Sequence, residues 1–302
     1  MSEKYSGVLI LNKPEGITSH DAVNKIRRIF KTKKVGHTGT LDPMATGVLP
    51  ILVGHAVKAS SFLVTDTKGY TAGMRLGVET DTQDTSGKIL CEKAVSCTDE
   101  EIREAILSFQ GESKQVPPMY SALKVGGKKL CDLARQGIEV EREARDIYIE
   151  KIFNIKKTSD TLWEFSVVCS KGTYIRTLIS DIGKKLGCGG AMSSLRRDMS
   201  GSFSIENAST LEEVESAEEL ENLLVPTEQL FSSLPKVKLS EFYTRLARNG
   251  QPIFSSRAKL SLPDVGSRVT LWSNDGIFFA LGEVVEEEGE KCARPIKMFD
   301  LP

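Results

Sequence analysis

The chain has 302 residues, about two domains at roughly 150 residues each; it is 40% hydrophobic and 27% charged, with a formal net charge of −1. A chain of this size can bury a core without disulfide or metal staples, and its average charge gives no sign of a polyanionic partner. No apolar window of about 18 residues exists, Gly7 to Leu11 is too short for a signal-peptide core, and the six cysteines and three histidines lack zinc-ligand spacing, so the expectation is a reduced, cytoplasmic, metal-free protein.

Gly7 to Leu11 is a short apolar run closed by the turn-forming cluster Asn12-Lys13-Pro14-Glu15-Gly16. Thr18 and Asp21 are spaced as a capping box, after which Val23, Ile26 and Phe30 recur at helical spacing. The next segment, GHTGTLDPMATGVLP from Gly36 to Pro50, excludes a helix, because Pro43 pushes Asp42 into an extended conformation and the glycines allow close backbone approach. A tight apolar loop of this kind can hold one polar side chain at the floor of a cleft, and Asp42 is the candidate; an Asx-turn or cap is the structural alternative.

Thr98 and Glu101 repeat the capping device ahead of Ile102, Ala105, Ile106 and Phe109. Pro117 to Arg145, rich in Gly, Lys and Arg, reads as a mobile basic projection. Leu162 to Cys169 alternates as a strand with Trp163, Phe165, Val167 and Cys169 on one side. Tyr174 to Leu186 follows as a helix, with Ile175, Ile179, Ile182 and Leu186 inward and Gly187 at its end. Strands and helices mix without a βαβ rhythm, so the expected class is α+β with a central, mostly antiparallel sheet. Beyond Pro235, a short helix pattern (Ser240 to Gly250) precedes strands at Arg268 to Ser273 and Ile277 to Val285, around the hairpin signal Asn274-Asp275-Gly276. The expected domains are 1–232 and a small β-rich unit, 233–302.

The near-zero net charge hides segregation. Residues 1–36 carry eight Lys or Arg against three acids, and Ser170 to Ser200 six against two, whereas Glu206 to Leu230 holds eight glutamates and no Lys or Arg. A polyanion feels charge within about one Debye length, ~8 Å at physiological salt, so regional balance governs its binding. Ordinary solvated faces are the alternative.

Five separated motifs carry a resemblance: LNKP (Leu11 to Pro14), the GHTGTLDP loop, KGYTAGMRLGVETDTQD (Lys68 to Asp84), VPPMYSALK (Val116 to Lys124) and CSKGTYIRTLISDIGKKLGCG (Cys169 to Gly189). From about Gly7 to Met199 the chain resembles the TruB family, bacterial synthases that make pseudouridine at position 55 of transfer RNA. Met44 departs from the leucine more usual in the loop. Past Ser200 the likeness weakens, and the C-terminal unit is similar to a PUA-type RNA-binding domain by place and size.

The resemblance implies the pseudouridine-synthase fold, Asp42 as catalytic aspartate, Tyr70 stacking on the target base, Arg176 paired with Asp42 and Leu195 lining the pocket. It gives His37 a part in positioning the RNA as the base is extruded, and Lys13 with Pro14 a part in supporting the loop; Lys13 and Tyr174 are counted with the substrate contacts. On residue type alone, His37 and Lys13 are equally a structural histidine and a solvated turn lysine. The basic residues Lys124, Lys128, Lys129 and Arg135 are expected to grip phosphates.

Isomerising uridine exchanges no electrons and carries no group away, so no cofactor or metal is expected. The expected partner is the T-arm stem-loop of tRNA, met by a monomer with no membrane and no obligate protein partner. Burial disfavours a charged carboxylate, while a cation within ~4–6 Å lowers its pKa by one to three units, and the expectation is that Arg176 offsets burial and keeps Asp42 ionised. Two other readings stay open: an RNA-binding or tRNA-folding protein with an idle site, and a uridine isomerase acting on other RNAs. A glycosidase-like hydrolase is disfavoured because no second carboxylate stands as an acid partner.

Overall fold

The computed structural model of the chain describes residues 4–63 and 67–299, apart from the side chain of Lys129. Its centre is a ten-stranded sheet among those residues, as the α+β expectation required. The strands run in the order Leu224–Val225, Gly7–Lys13, Thr46–Val53, Gly190–Ser200, Thr67–Leu76, Leu162–Ser170, Arg145–Lys157, Gly111–Gln115. Val35–His37 pairs with Thr46–Val53, and Phe203–Ser204 with Gly190–Ser200. Every pairing is antiparallel except one: Thr46–Val53 lies parallel to Gly190–Ser200, with Arg197 opposite Gly47.

The strand Gly7–Lys13 is buried on both faces, which explains its unbroken apolar run. Leu9 and Leu11 face a core shared with the helices Ser19–Ile29, Asp99–Leu107 and Ile175–Lys185, while Val8 and Ile10 face the other way. Both expected capping boxes form: Thr18 accepts from the Asp21 amide at 3.0 Å, and the Asp21 carboxylate accepts from the Thr18 amide at 3.0 Å. Thr98 and Glu101 make the same exchange. Trp163, Phe165, Val167 and Cys169 are all buried, as their alternation demands.

Two segments carry local structure that their composition did not specify. The basic stretch after Pro117 contains a hairpin, Lys124–Val125 with Lys128–Lys129, whose turn is made by Gly126 and Gly127 at positive φ. The helix Leu130–Arg135 follows and buries Leu130 and Leu133, so the stretch is built rather than featureless. In the acidic stretch Glu206 to Leu230 the capped helix Leu211–Ser216 buries Leu211 and Val214, and Leu224–Val225 pairs with the first strand.

A second sheet of five strands, in the order Lys236–Lys238, Arg268–Trp272, Phe278–Glu287, Glu290–Met298, Ile253–Phe254, forms the small C-terminal β unit. The expected Asn274-Asp275-Gly276 turn joins two of its strands, and Glu288-Gly289 at positive φ makes a second hairpin within the glutamate-rich segment Glu283 to Glu290. Phe278 and Phe299 pack with Phe231 against the reverse of the central sheet, at Val8, Ile10, Val48 and Leu52.

The parallel junction depends on Gly47. Its φ is +97°, and a Cβ there would lie 2.3 Å from the Arg197 carbonyl oxygen. Gly47→Ala should therefore lower stability by about 2 kcal/mol or more, from left-handed strain plus a backbone clash, which thermal unfolding measures directly.

Candidate active site

The loop between Val35–His37 and Thr46–Val53 is pinned from three sides. Ser19, at the start of its helix, accepts from the Leu41 amide at 2.9 Å and donates to the Leu41 carbonyl at 3.1 Å. Lys13 Nζ donates to the carbonyls of Pro14 (2.7 Å), Ile17 (2.8 Å) and Pro43 (3.3 Å). Arg197, reaching across the parallel junction, donates from Nε to the Val48 carbonyl (2.7 Å) and from Nη2 to that of Gly39 (2.9 Å). Held in this way, the loop presents Asp42 to a cavity.

Arg176, in the first turn of the helix Ile175–Lys185, grips Asp42 with two nitrogens: Nε to Oδ2 at 2.9 Å and Nη2 to Oδ1 at 3.4 Å. The guanidinium itself is fixed by the carbonyls of Tyr120 (2.7 Å) and Thr82 (2.9 Å). The Arg176 side chain is 6% exposed and that of Asp42 37%, so the cation stands behind the carboxylate and the carboxylate meets the cavity. Gln115 positions the helix start by accepting from the Tyr174 amide at 2.8 Å and donating to its carbonyl at 3.1 Å.

The cavity has a volume of about 310 Å³ and is lined by Asp42, Tyr70, Tyr174, Arg176 and Leu195, with Ser121 to Leu123 of the basic stretch closing one wall. Tyr70 and Leu195 are nearly buried, and the Tyr70 hydroxyl meets the Arg197 guanidinium opposite it across the paired strands. Burial pushes the Tyr70 phenol up and Arg197 pulls it down. Among the described residues, no group of three or more His, Cys, Asp or Glu side chains converges as a metal site.

At Asp42 the expected opposition between burial and Arg176 is present, and burial is the larger of the two. Burial pushes its carboxyl above the ordinary value; Arg176 pulls it back without cancelling the rise, and Asp84 adds to it. A second carboxylate, Asp84, stands nearby but not as an acid partner facing the cavity. Its Oδ2 lies 3.8 Å from Arg176 Nη1, behind the guanidinium and away from the cavity lining. Thr82 Oγ1 (2.8 Å) and the Ser86 amide (3.0 Å) hold it there.

The remaining sequence candidates separate by position. Lys13 is fully buried beneath the loop, where it supports Pro43 and cannot meet RNA. Burial lowers its ammonium to about 8, with Asp42 and Glu15 pulling upward. His37 lines an adjacent cavity rather than the one holding Asp42. Lys124 and Lys128 are exposed on the hairpin, Arg135 pairs with Asp132 at 3.6 Å, and the Lys129 side chain lies outside the described residues. Sequence reasoning passed over Asp84, Arg197 and Lys68; for Arg197 a signal existed, since it shares the inward parity of Leu195 along one strand.

Comparison with known proteins gives the family of the chain. Residues 27–175 match the family model described as TruB family pseudouridylate synthase (N terminal domain), and residues 176–232 match the tRNA pseudouridylate synthase B C-terminal domain. The tRNA pseudouridine synthase B of Alkaliphilus oremlandii is 49% identical over 251 residues, covering 83% of this chain and 84% of that protein. This chain belongs to the TruB family.

The Clostridium tetani protein of the same name is 44% identical over 285 residues, 93% of this chain and 96% of that one. Among solved structures, a Cbf5–Nop10–Gar1 complex is similar with a TM-score of 0.71 at 27% identity, over 97% of this chain and 85% of that chain. An H/ACA RNP bound to a substrate RNA containing 2′-deoxyuridine gives 0.70 at 25% identity, over 98% and 85%. The likeness spans both sheets of this TruB-family chain.

Titrating the Asp42 carboxyl by carbon NMR should give a midpoint above 3.8, and Arg176→Met should move it higher still, since removing the cation leaves burial unopposed. An unchanged midpoint would show that the pair does not set the charge. Lys13→Met leaves three carbonyls without their donor and should cost on the order of 1–3 kcal/mol or more, read as a lower unfolding midpoint in urea.

Proposed function

We propose that this chain converts uridine to pseudouridine at position 55, in the T-arm loop of transfer RNA. The reaction conserves atoms: the N1–C1′ bond breaks, C5 joins C1′, the proton on C5 leaves and N1 gains one. A protein that promotes it needs a slot for the loosened base and a charged group beside the reacting sugar.

The observation that supports the reading best is the carboxylate of Asp42, gripped by Arg176 at 2.9 Å and open to a cavity it shares with Tyr70 and Leu195. Asp42 is the only acid in that lining among the described residues. A carboxylate so placed serves as nucleophile, electrostatic partner or base toward an extruded uridine. Arg176 orients it from behind, opposing the proton uptake that burial favours. Flipping the base costs a few kcal/mol, and stacking on the Tyr70 ring returns about 1–3 kcal/mol.

Residues 1–232 form the catalytic unit in this reading, and 233–302 an RNA-binding unit. Exposed Lys124 and Lys128 grip the phosphate backbone, in company with Arg135. The protein works in the cytoplasm as a monomer without an obligate protein partner, a state that light scattering with and without RNA tests.

Incubation with a T-arm stem-loop, followed by carbodiimide-stopped primer extension, should place pseudouridine at the one position. Asp42→Asn should lose more than about a hundredfold in rate. Tyr70→Ala should lose most turnover while holding RNA within roughly tenfold of wild type. RNA that is bound and never modified would instead indicate a binding or folding protein with an idle site.

A further inference from the structure

Lys68 stands at a wall between two cavities. It lines the one containing Asp42 and also a second, of about 230 Å³, whose lining includes His37, Thr38, Ser60 and Lys171. Gly39 belongs to both linings, with φ at +72°. The position that a Cβ on Gly39 would take is 3.3 Å from Lys68 Nζ and 3.3 Å from Arg197 Nη1. At most twice that distance, 6.6 Å, separates the two charged nitrogens.

Like charges this close repel, and no carboxylate among the described residues forms an ion pair with either. Burial, Arg197 and Lys171 push the Lys68 ammonium below the usual lysine value, with Cys169 pulling the other way. Arg197 is fully buried and is held by the carbonyls of Val48 and Gly39, neither of them an anion, with Tyr70 opposite it on the paired strand. In the same cavity wall, His37 Nδ1 is buried with no hydrogen-bond partner among the described residues. Lys68 and Arg197, which have no carboxylate partner among the described residues, the unused His37 nitrogen and the hydroxyls of Thr38, Ser60 and Ser200 make a place for an anion with several acceptor oxygens.

We propose that the second cavity seats a backbone phosphate flanking the uridine whose base enters the Asp42 cavity, with Lys68 as the residue that contacts it and Arg197 as a fixed buried charge behind. The proposal rests on the uridine-isomerase reading. A base and its flanking phosphate belong to one nucleotide, and two cavities that share a single wall match that arrangement. Fixing the phosphate there holds the backbone in its extruded form, so that binding energy from a non-reacting group opposes the return of the base to its stack.

The test uses the full chain and three T-arm stem-loops: one all-phosphate, and two with a neutral methylphosphonate on the 5′ or the 3′ side of the target uridine. Affinity and conversion are read separately for wild type, Lys68→Met and Lys68→Arg. Wild type should lose about tenfold to a hundredfold in affinity on one of the methylphosphonate RNAs. Lys68→Met should show the same loss on the all-phosphate RNA, no further loss on that methylphosphonate RNA, and a log–log salt slope shallower by about one. Lys68→Arg should retain most of the affinity.

Losses that multiply, or wild-type binding indifferent to both neutral linkages, would overturn the phosphate seat. Because the linkage change is read on the unaltered protein, misfolding of a variant does not blur the result. If wild type binds with the predicted dependence on Lys68 and leaves the uridine unconverted, the isomerase reading fails and the phosphate seat stands.

Discussion

The guanidinium of Arg176 is the joint on which the site depends. It ties four segments far apart in the chain: the loop at Asp42, the turn at Thr82 and Asp84, the basic stretch at Tyr120, and its own helix. A buried cation is tolerated only when its donors are answered, and here one carboxylate and two carbonyls answer them at close range. Asp42 is thus more than a residue displayed by a loop, because Arg176 needs it as much as it needs Arg176. The carboxyl lies above its ordinary pKa because desolvation and the second acid, Asp84, outweigh this attraction.

Beneath the loop, two further cations are fully buried, and neither has a carboxylate partner among the described residues. Lys13 and Arg197 spend their donors mainly on backbone carbonyls. Carbonyls satisfy hydrogen bonds without cancelling charge, so the loop rests on a positive foundation. Such groups are weak evidence for stability, since well-packed apolar side chains commonly do as well. Their positive charge is better understood through a polyanionic ligand than through folding alone. Regional charge, unlike the net value of −1, anticipates this.

Around the site the fold is stiffened by burial on two sides. The strand Gly7–Lys13 packs helices on one face and, on the other, the aromatic group Phe231, Phe278 and Phe299 that brings the C-terminal sheet against it. Its last residue is Lys13, so a strand enclosed by the core on both faces also carries the support for the Asp42 loop. Gly47 admits the parallel contact through which Arg197 reaches the same loop.

What the sequence by itself determined was local. Capping boxes at Thr18 and Thr98, the alternation from Trp163 to Cys169 and the helix after Tyr174 were legible because each depends on neighbours a few residues away. Asp42, Tyr70, Arg176 and Leu195 were legible as members of motifs. Only the tertiary structure decided which side chains share a space: Arg197 faces Tyr70, and Lys68 faces Ser200, through strand register, and Asp84 reaches Arg176 through the packing of a turn against a helix. Whether Lys13 is a solvated turn lysine or a buried strut, and whether burial or Arg176 prevails at Asp42, are contests between solvation and distance, and a linear chain carries neither.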